Sequence, residues 1–142
     1  MKIYVYILFI IIGITLSCNS SKSFSDKENP KLENDTIRIA NDEIEYEITI
    51  IDIGFSNWFN TNARPRNFYS QNYLEARNRT WVIEWNRRAN SPINFDSNLY
   101  EMQIDYNSTT DYGYEVNYML FNYFVYFQQK YNQKLGVFSA RL

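Results

Sequence analysis

The stretch Thr36-Ile37-Arg38-Ile39-Ala40-Asn41-Asp42-Glu43-Ile44-Glu45-Tyr46-Glu47-Ile48-Thr49-Ile50-Ile51-Asp52 decides the fold class. Ile37 and Ile39 alternate with Thr36, Arg38 and Ala40. Ile44, Tyr46, Ile48 and Ile50 alternate with Glu43, Glu45, Glu47 and Thr49. A period of two marks strands with one dry face and one wet face. Asn41 and Asp42 tolerate positive φ, so the spacing predicts a two-residue type I′ turn. That turn sets Ala40 against Glu43, Ile39 against Ile44, Arg38 against Glu45 and Ile37 against Tyr46. Apolar then meets apolar on one face, and Arg38 meets a glutamate on the other.

Downstream, the period changes. Phe55, Trp58 and Phe59 fall at i, i+3 and i+4, which predicts a short helix ending before Arg64-Pro65. Residues 64–69 read as a loop. Ser70 is a suitable N-cap for a long helix through Ala89, stopped by Asn90-Ser91-Pro92. Leu74, Trp81 and Trp85 share its apolar stripe, and Glu75–Arg79 and Glu84–Arg88 are i,i+4 pairs in the favourable order. Leu99 to Tyr106 alternates again, with Tyr100, Met102, Ile104 and Tyr106 on one side, and predicts a third strand. Tyr112 to Tyr131 is dense in apolar groups. Its Glu115, Asn122 and Gln129 recur every seven residues beside Tyr118 and Tyr126, which predicts one wet stripe on a buried helix. The order implies an α+β fold: a small antiparallel sheet (hairpin plus third strand) with about three helices packed on one face.

Upstream, Met1-Lys2 is followed by an apolar run from Ile3 to Leu16 and then Ser17-Cys18. One positive charge before about 14 apolar residues is a secretory signal, too short for a comfortable membrane span. Ile14-Thr15-Leu16-Ser17-Cys18 resembles a bacterial lipobox, with Thr15 at the position where Leu is commonest. Cleavage between Ser17 and Cys18 would leave Cys18 as the lipidated first residue. Residues 1–17 are then a signal peptide, residues 18–34 a polar flexible tether, and residues 35–142 a single globular domain. Cys18 is the only cysteine of the chain. A lipid anchor there would make the membrane the first partner and place the protein in the cell envelope, on the outer membrane, facing the periplasm or the surface.

Composition narrows the chemistry. There is no histidine. With Cys18 lipidated, Ser-His-Asp triads, Cys-His pairs and His-ligated zinc are excluded. The signal peptide takes Lys2 with it, leaving 13 basic against 16 acidic side chains, so no basic surface for nucleic acid is expected. Neither is a cofactor. Two patterns remain as candidate sites. Asp105, Asn107, Thr109 and Asp111 place oxygen side chains at alternate positions, as in a calcium loop. Thr110 stands where the sharp-turn glycine belongs and Val116 where the bidentate glutamate belongs; the alternative is a loop in which Thr110 or Asp111 caps the last helix. Residues 64–92 carry six arginines against two glutamates. Arg77 and Arg88 beside Trp81 and Trp85 could hold an anion or a sugar by ion pairing and stacking. The alternative places both tryptophans in the core and pairs the arginines with acidic neighbours.

Four segments resemble a family of short, uncharacterised lipoproteins of Bacteroidetes-type bacteria. They are Asn34-Asp35-Thr36-Ile37-Arg38-Ile39-Ala40-Asn41-Asp42, Ile51-Asp52-Ile53-Gly54-Phe55, Trp81-Val82-Ile83-Glu84-Trp85-Asn86 and Asp111-Tyr112-Gly113-Tyr114-Glu115-Val116-Asn117-Tyr118. The resemblance spans about residues 34–135. It implies the lipoprotein address and no activity, since the family carries only the label of a domain of unknown function. The expectation is a non-enzymatic envelope lipoprotein acting on an envelope protein or a glycan. The alternatives are a carboxylate-dependent enzyme acting on glycans and a small-anion or sugar sensor.

Overall fold

The computed structural model describes residues 36–142. Ser17, Cys18 and the expected signal peptide and tether lie outside the described residues. The described chain is α+β, as its alternation and helical periods predict. Strands β1 (Thr36–Asn41) and β2 (Tyr46–Ile51) form a two-stranded antiparallel sheet. Helices α1 (Phe55–Asn62), α2 (Gln71–Ala89) and α3 (Gly113–Lys130) follow. Among the described residues no helix is long and apolar enough to cross a membrane.

The hairpin forms, with a different turn. Asp42–Ile44 make one 3₁₀ turn, and Glu45 adopts a left-handed conformation at φ 52°. Asn41 therefore pairs with Tyr46, Ala40 with Glu47 and Ile39 with Ile48. The type I′ turn and its register are corrected by four residues. An even shift keeps the paired strands in phase, so Ile39 and Ile50 are still buried, while Ile44 has moved into the turn and is exposed. The cause is Asn41. Its Oδ1 accepts from the Glu43 N–H at 3.0 Å, which caps the 3₁₀ turn. Its Nδ2 donates to the Tyr112 carbonyl at 3.0 Å, which ties the hairpin to the start of α3. Arg38 now faces Thr49 and pairs with Glu47 at 3.0 Å.

Helix α3 is the centre of the domain: α1, α2 and β1 all pack against it. Its predicted wet stripe is largely dry. Tyr118, Asn122 and Tyr126 are buried; both hydroxyls and the Asn122 amide nitrogen find partners at close range, whereas Asn122 Oδ1 has none. Asn122 donates to the Tyr118 carbonyl at 2.7 Å. The Tyr118 hydroxyl donates to the Arg64 carbonyl and that of Tyr126 to the Ile53 carbonyl. A helix buried all round needs such local satisfaction. Helix α2 starts and stops where its caps predict, with the Ser70 hydroxyl accepting from the Tyr73 N–H. It contributes Leu74, Trp81, Val82 and Trp85 to the core.

Residues 99–106 do not join the sheet, which corrects the predicted third strand. Side chains of α2 have taken their backbone groups. Asn86 Nδ2 donates to the Ile104 carbonyl at 2.8 Å, and Asn86 Oδ1 accepts from the Ile104 N–H at 2.8 Å. Trp85 Nε1 donates to the Met102 carbonyl at 2.8 Å. Asn86 thus offers Ile104 the donor and acceptor that a neighbouring strand would have offered.

Candidate functional site

The four residues of the expected Arg–Trp site do not converge. Trp81 is 0 % exposed and packs on Phe121 and Phe124. Its indole N–H has no hydrogen-bond partner. Arg88 is almost covered, its side chain 11 % exposed. It bonds Glu84 at 2.7 Å, the Tyr100 hydroxyl at 2.7 Å, Gln133 at 3.1 Å and the Lys134 carbonyl at 2.5 Å. Those contacts hold the C-terminal segment on α2. Arg77 lies over Phe138, its guanidinium carbon 3.7 Å from the ring centre, with the Tyr73 ring at 5.0 Å. Trp85 alone of the four reaches the groove described below, as part of its floor.

Two side chains of the predicted calcium loop, Asn107 and Asp111, accept from nearby backbone N–H groups. Asn107 Oδ1 accepts from the Thr109 N–H and hydroxyl at 3.0 and 2.9 Å. Asp111 Oδ1 accepts from the Gly113 N–H at 2.9 Å and from Gln71 at 2.7 Å, closing a turn just before α3, whose N-cap is Tyr112. The Asp105 carbonyl takes the Tyr46 hydroxyl. Among the described residues, no three acidic, histidine or cysteine side chains come together to hold a metal.

A concavity stands where the predicted third strand would have paired with β2. A groove of about 760 Å³ runs between β2 and residues 98–105. Its first wall is the outer edge of β2. Among the described residues, β2 has no strand on that side and no other backbone hydrogen bond. The second wall is the segment that Asn86 and Trp85 pin to α2. The floor is Trp85, Leu120, Tyr123 and Phe127. The Tyr46 hydroxyl bonded to the Asp105 carbonyl closes one end. Ile51, Ile53 and Met102 stand at the rim, 77, 74 and 76 % exposed, three of the eight large apolar side chains left in solvent among the described residues.

The other end is polar and neutralised. Asp52, its side chain 7 % exposed, follows β2 directly. It accepts from Lys130 at 2.5 Å, from the Tyr126 hydroxyl at 3.0 Å and from the Tyr131 hydroxyl at 3.2 Å. Lys130 also donates to the Ile53 carbonyl at 2.9 Å. Burial pulls the Lys130 ammonium down, and the hydrogen bonds to Asp52, Tyr126 and Tyr131 outweigh it, so it titrates above the ordinary lysine range. Burial first, then the Asp52 charge, pushes the Tyr123 hydroxyl well up. Gly54 makes the cluster possible. Its φ of 101° turns the chain into α1, and a Cβ there would lie 3.2 Å from the Tyr126 hydroxyl. The i,i+4 pair Tyr126 and Lys130 was visible in the sequence, but nothing local connected it to Asp52, more than 70 residues away.

The groove's remaining charge is negative. Glu47 is bound to Arg38, whereas Glu101 and Asp105 have no ion-pair partner among the described residues. The architecture and the groove define a small α+β domain with an open strand edge beside an acidic wall. The chain belongs to a family of unknown function (DUF6146), which it matches over residues 6–141. That match reaches further toward the N-terminus than the four resembling segments. No curated protein and no solved structure matches the chain significantly.

Proposed function

We propose that the protein is a lipid-anchored envelope lipoprotein whose domain acts as a non-enzymatic interaction module. The N-terminal charge, apolar run and Ser17-Cys18 junction support the anchor. The observation that carries the module is the groove. It joins an unpaired strand edge, an aromatic floor and exposed apolar rim residues, the elements of a docking surface. Its one buried carboxylate, Asp52, is held by a lysine and two tyrosines, an arrangement that fixes a strand end. The protein or glycan partner expected from the sequence becomes, on this reading, a protein.

Two measurements in the native cell test this. Metabolic labelling with an alkynyl palmitate is expected to mark the wild type in the membrane fraction and to miss a Cys18→Ala variant. Equal labelling of both would remove the anchor. Crosslinking of intact cells is expected to yield a discrete adduct from wild type that Met102→Lys abolishes. Adducts indifferent to that substitution would move the interaction away from the groove.

A further inference from the structure

We infer that the groove binds an extended segment of another polypeptide, of alternating apolar and basic residues, as a third strand on the free edge of β2. This rests on the interaction-module reading above and names the partner's chemistry.

Three observations converge on it. β2 is six residues long, so its edge is roughly 20 Å of backbone at about 3.4 Å per residue. Half of its N–H and C=O groups point away from β1 and lack a backbone partner among the described residues. An exposed strand edge is a template for another strand, which folded proteins normally cover. Here the segment best placed to cover it, residues 99–106, is held off by Asn86 and Trp85. The slot is therefore kept open by specific hydrogen bonds.

The second observation is the floor. An extended peptide turns alternate side chains to opposite faces. Those pointing inward would meet Trp85, Leu120, Tyr123 and Phe127, and so must be apolar. The rim residues Ile51, Ile53 and Met102 widen that apolar contact. The third observation is charge. Glu47, Asp52, Glu101 and Asp105 line the groove; Glu47 is paired with Arg38, and Lys130, the only cation among the lining residues, is committed to Asp52. Glu101 and Asp105, exposed on the far wall, would meet the outward-pointing residues of the occupant. Lysine or arginine there completes the pairing, and acidic residues would be repelled.

The test uses the full-length lipidated protein in detergent micelles and four defined probes. They are a capped hexapeptide alternating Lys and Val, its Glu–Val counterpart, the Lys–Val peptide N-methylated at alternate amides, and palmitate. Binding is read by calorimetry, and the site by amide hydrogen exchange of β2. The Lys–Val peptide is expected to bind and to slow exchange at alternate amides of residues 46–51. Binding of the Glu–Val and N-methylated peptides is expected to be at least roughly tenfold weaker. Replacing Glu101→Gln together with Asp105→Asn, both on the exposed surface, is expected to weaken the Lys–Val peptide by roughly three- to tenfold and to flatten its salt dependence. Binding that leaves β2 exchange unchanged, equal binding of the N-methylated peptide, palmitate as the only binder, or no binding at all would each overturn the inference. A crosslinked partner that persists in cells alongside any of those results would leave the interaction module standing with a different mode of contact.

Discussion

Replacing Asn86 by alanine tests how the groove is held open. Asn86 makes two hydrogen bonds of 2.8 Å to the backbone of Ile104 and so positions the far wall. Each is worth about 1 kcal/mol net, so their loss costs about 2 kcal/mol. Alanine is the better helix former and returns about 0.5 kcal/mol. The net expectation for Asn86→Ala is a loss of about 1.5 kcal/mol. In urea that is a fall of roughly 1 M in midpoint with an unchanged slope. Asn86→Asp separates the two bonds. It keeps an acceptor for the Ile104 N–H but sets a carboxylate against the Ile104 carbonyl. It should cost at least as much as alanine at neutral pH. It should recover as pH falls, because the new carboxyl group becomes a donor on protonation. The assay is urea unfolding followed by tryptophan fluorescence, paired with exchange of the Ile104 amide. That amide should exchange at least roughly tenfold faster in Asn86→Ala, the equivalent of about 1.4 kcal/mol of lost protection. A midpoint within about 0.2 M of wild type, with Ile104 still protected, would refute the claim that Asn86 stands in for a neighbouring strand.

Other substitutions read separate parts of the structure. Trp85→Phe should destabilise by about 2 kcal/mol, because it empties core volume and strips the Met102 carbonyl of its donor. Trp81→Phe should cost about half as much, since it also removes a buried N–H that has no partner; equal urea midpoints for the two variants would contradict this. Gly54→Ala should lose about 1–2 kcal/mol through its positive φ and the crowding of Tyr126, and calorimetry showing an unchanged Tm would oppose it. Glu84 is 20 % exposed, and its hydrogen bond to Arg87, helped by Arg88, outweighs burial and holds its carboxyl down at about 2. A depressed folded pKa gives stability that is present above the ordinary glutamate range and lost as pH falls toward 2. Wild type should therefore lose on the order of 2 kcal/mol between about pH 5 and pH 2 that Glu84→Gln does not lose, and parallel stability profiles for the two proteins would exclude this pairing.

What was legible in the sequence is what short-range chemistry decides. Ser70 and Asn90 bracket α2 because capping acts within one turn. The hairpin was legible as a pattern but not as a register. Its turn depends on Asn41 reaching the Tyr112 carbonyl, 71 residues away. The alternation at 99–106 is kept in part: Tyr100 is buried and Ile104 and Tyr106 are half-buried, but Met102 is exposed. Strand periodicity, however, does not reveal that Asn86 already holds the backbone of Ile104. The candidate site suffered most. Trp81 and Trp85 stood out as large aromatics beside arginines, and the structure puts one in the core and the other under a groove. That groove stands where a pairing is absent, which no local pattern encodes.

The most direct measurement is hydrogen exchange on the protein in the membrane fraction of its native cells, where the proposed lipid anchor would hold it, compared with the same protein purified in micelles. Residues 46–51 and 101–105 should exchange markedly more slowly in the membrane, while exposed Ile83 and Ile93, which do not line the groove, are unchanged. Identical exchange of β2 in both settings would mean that its edge meets no partner strand where the protein works, and would contradict the account.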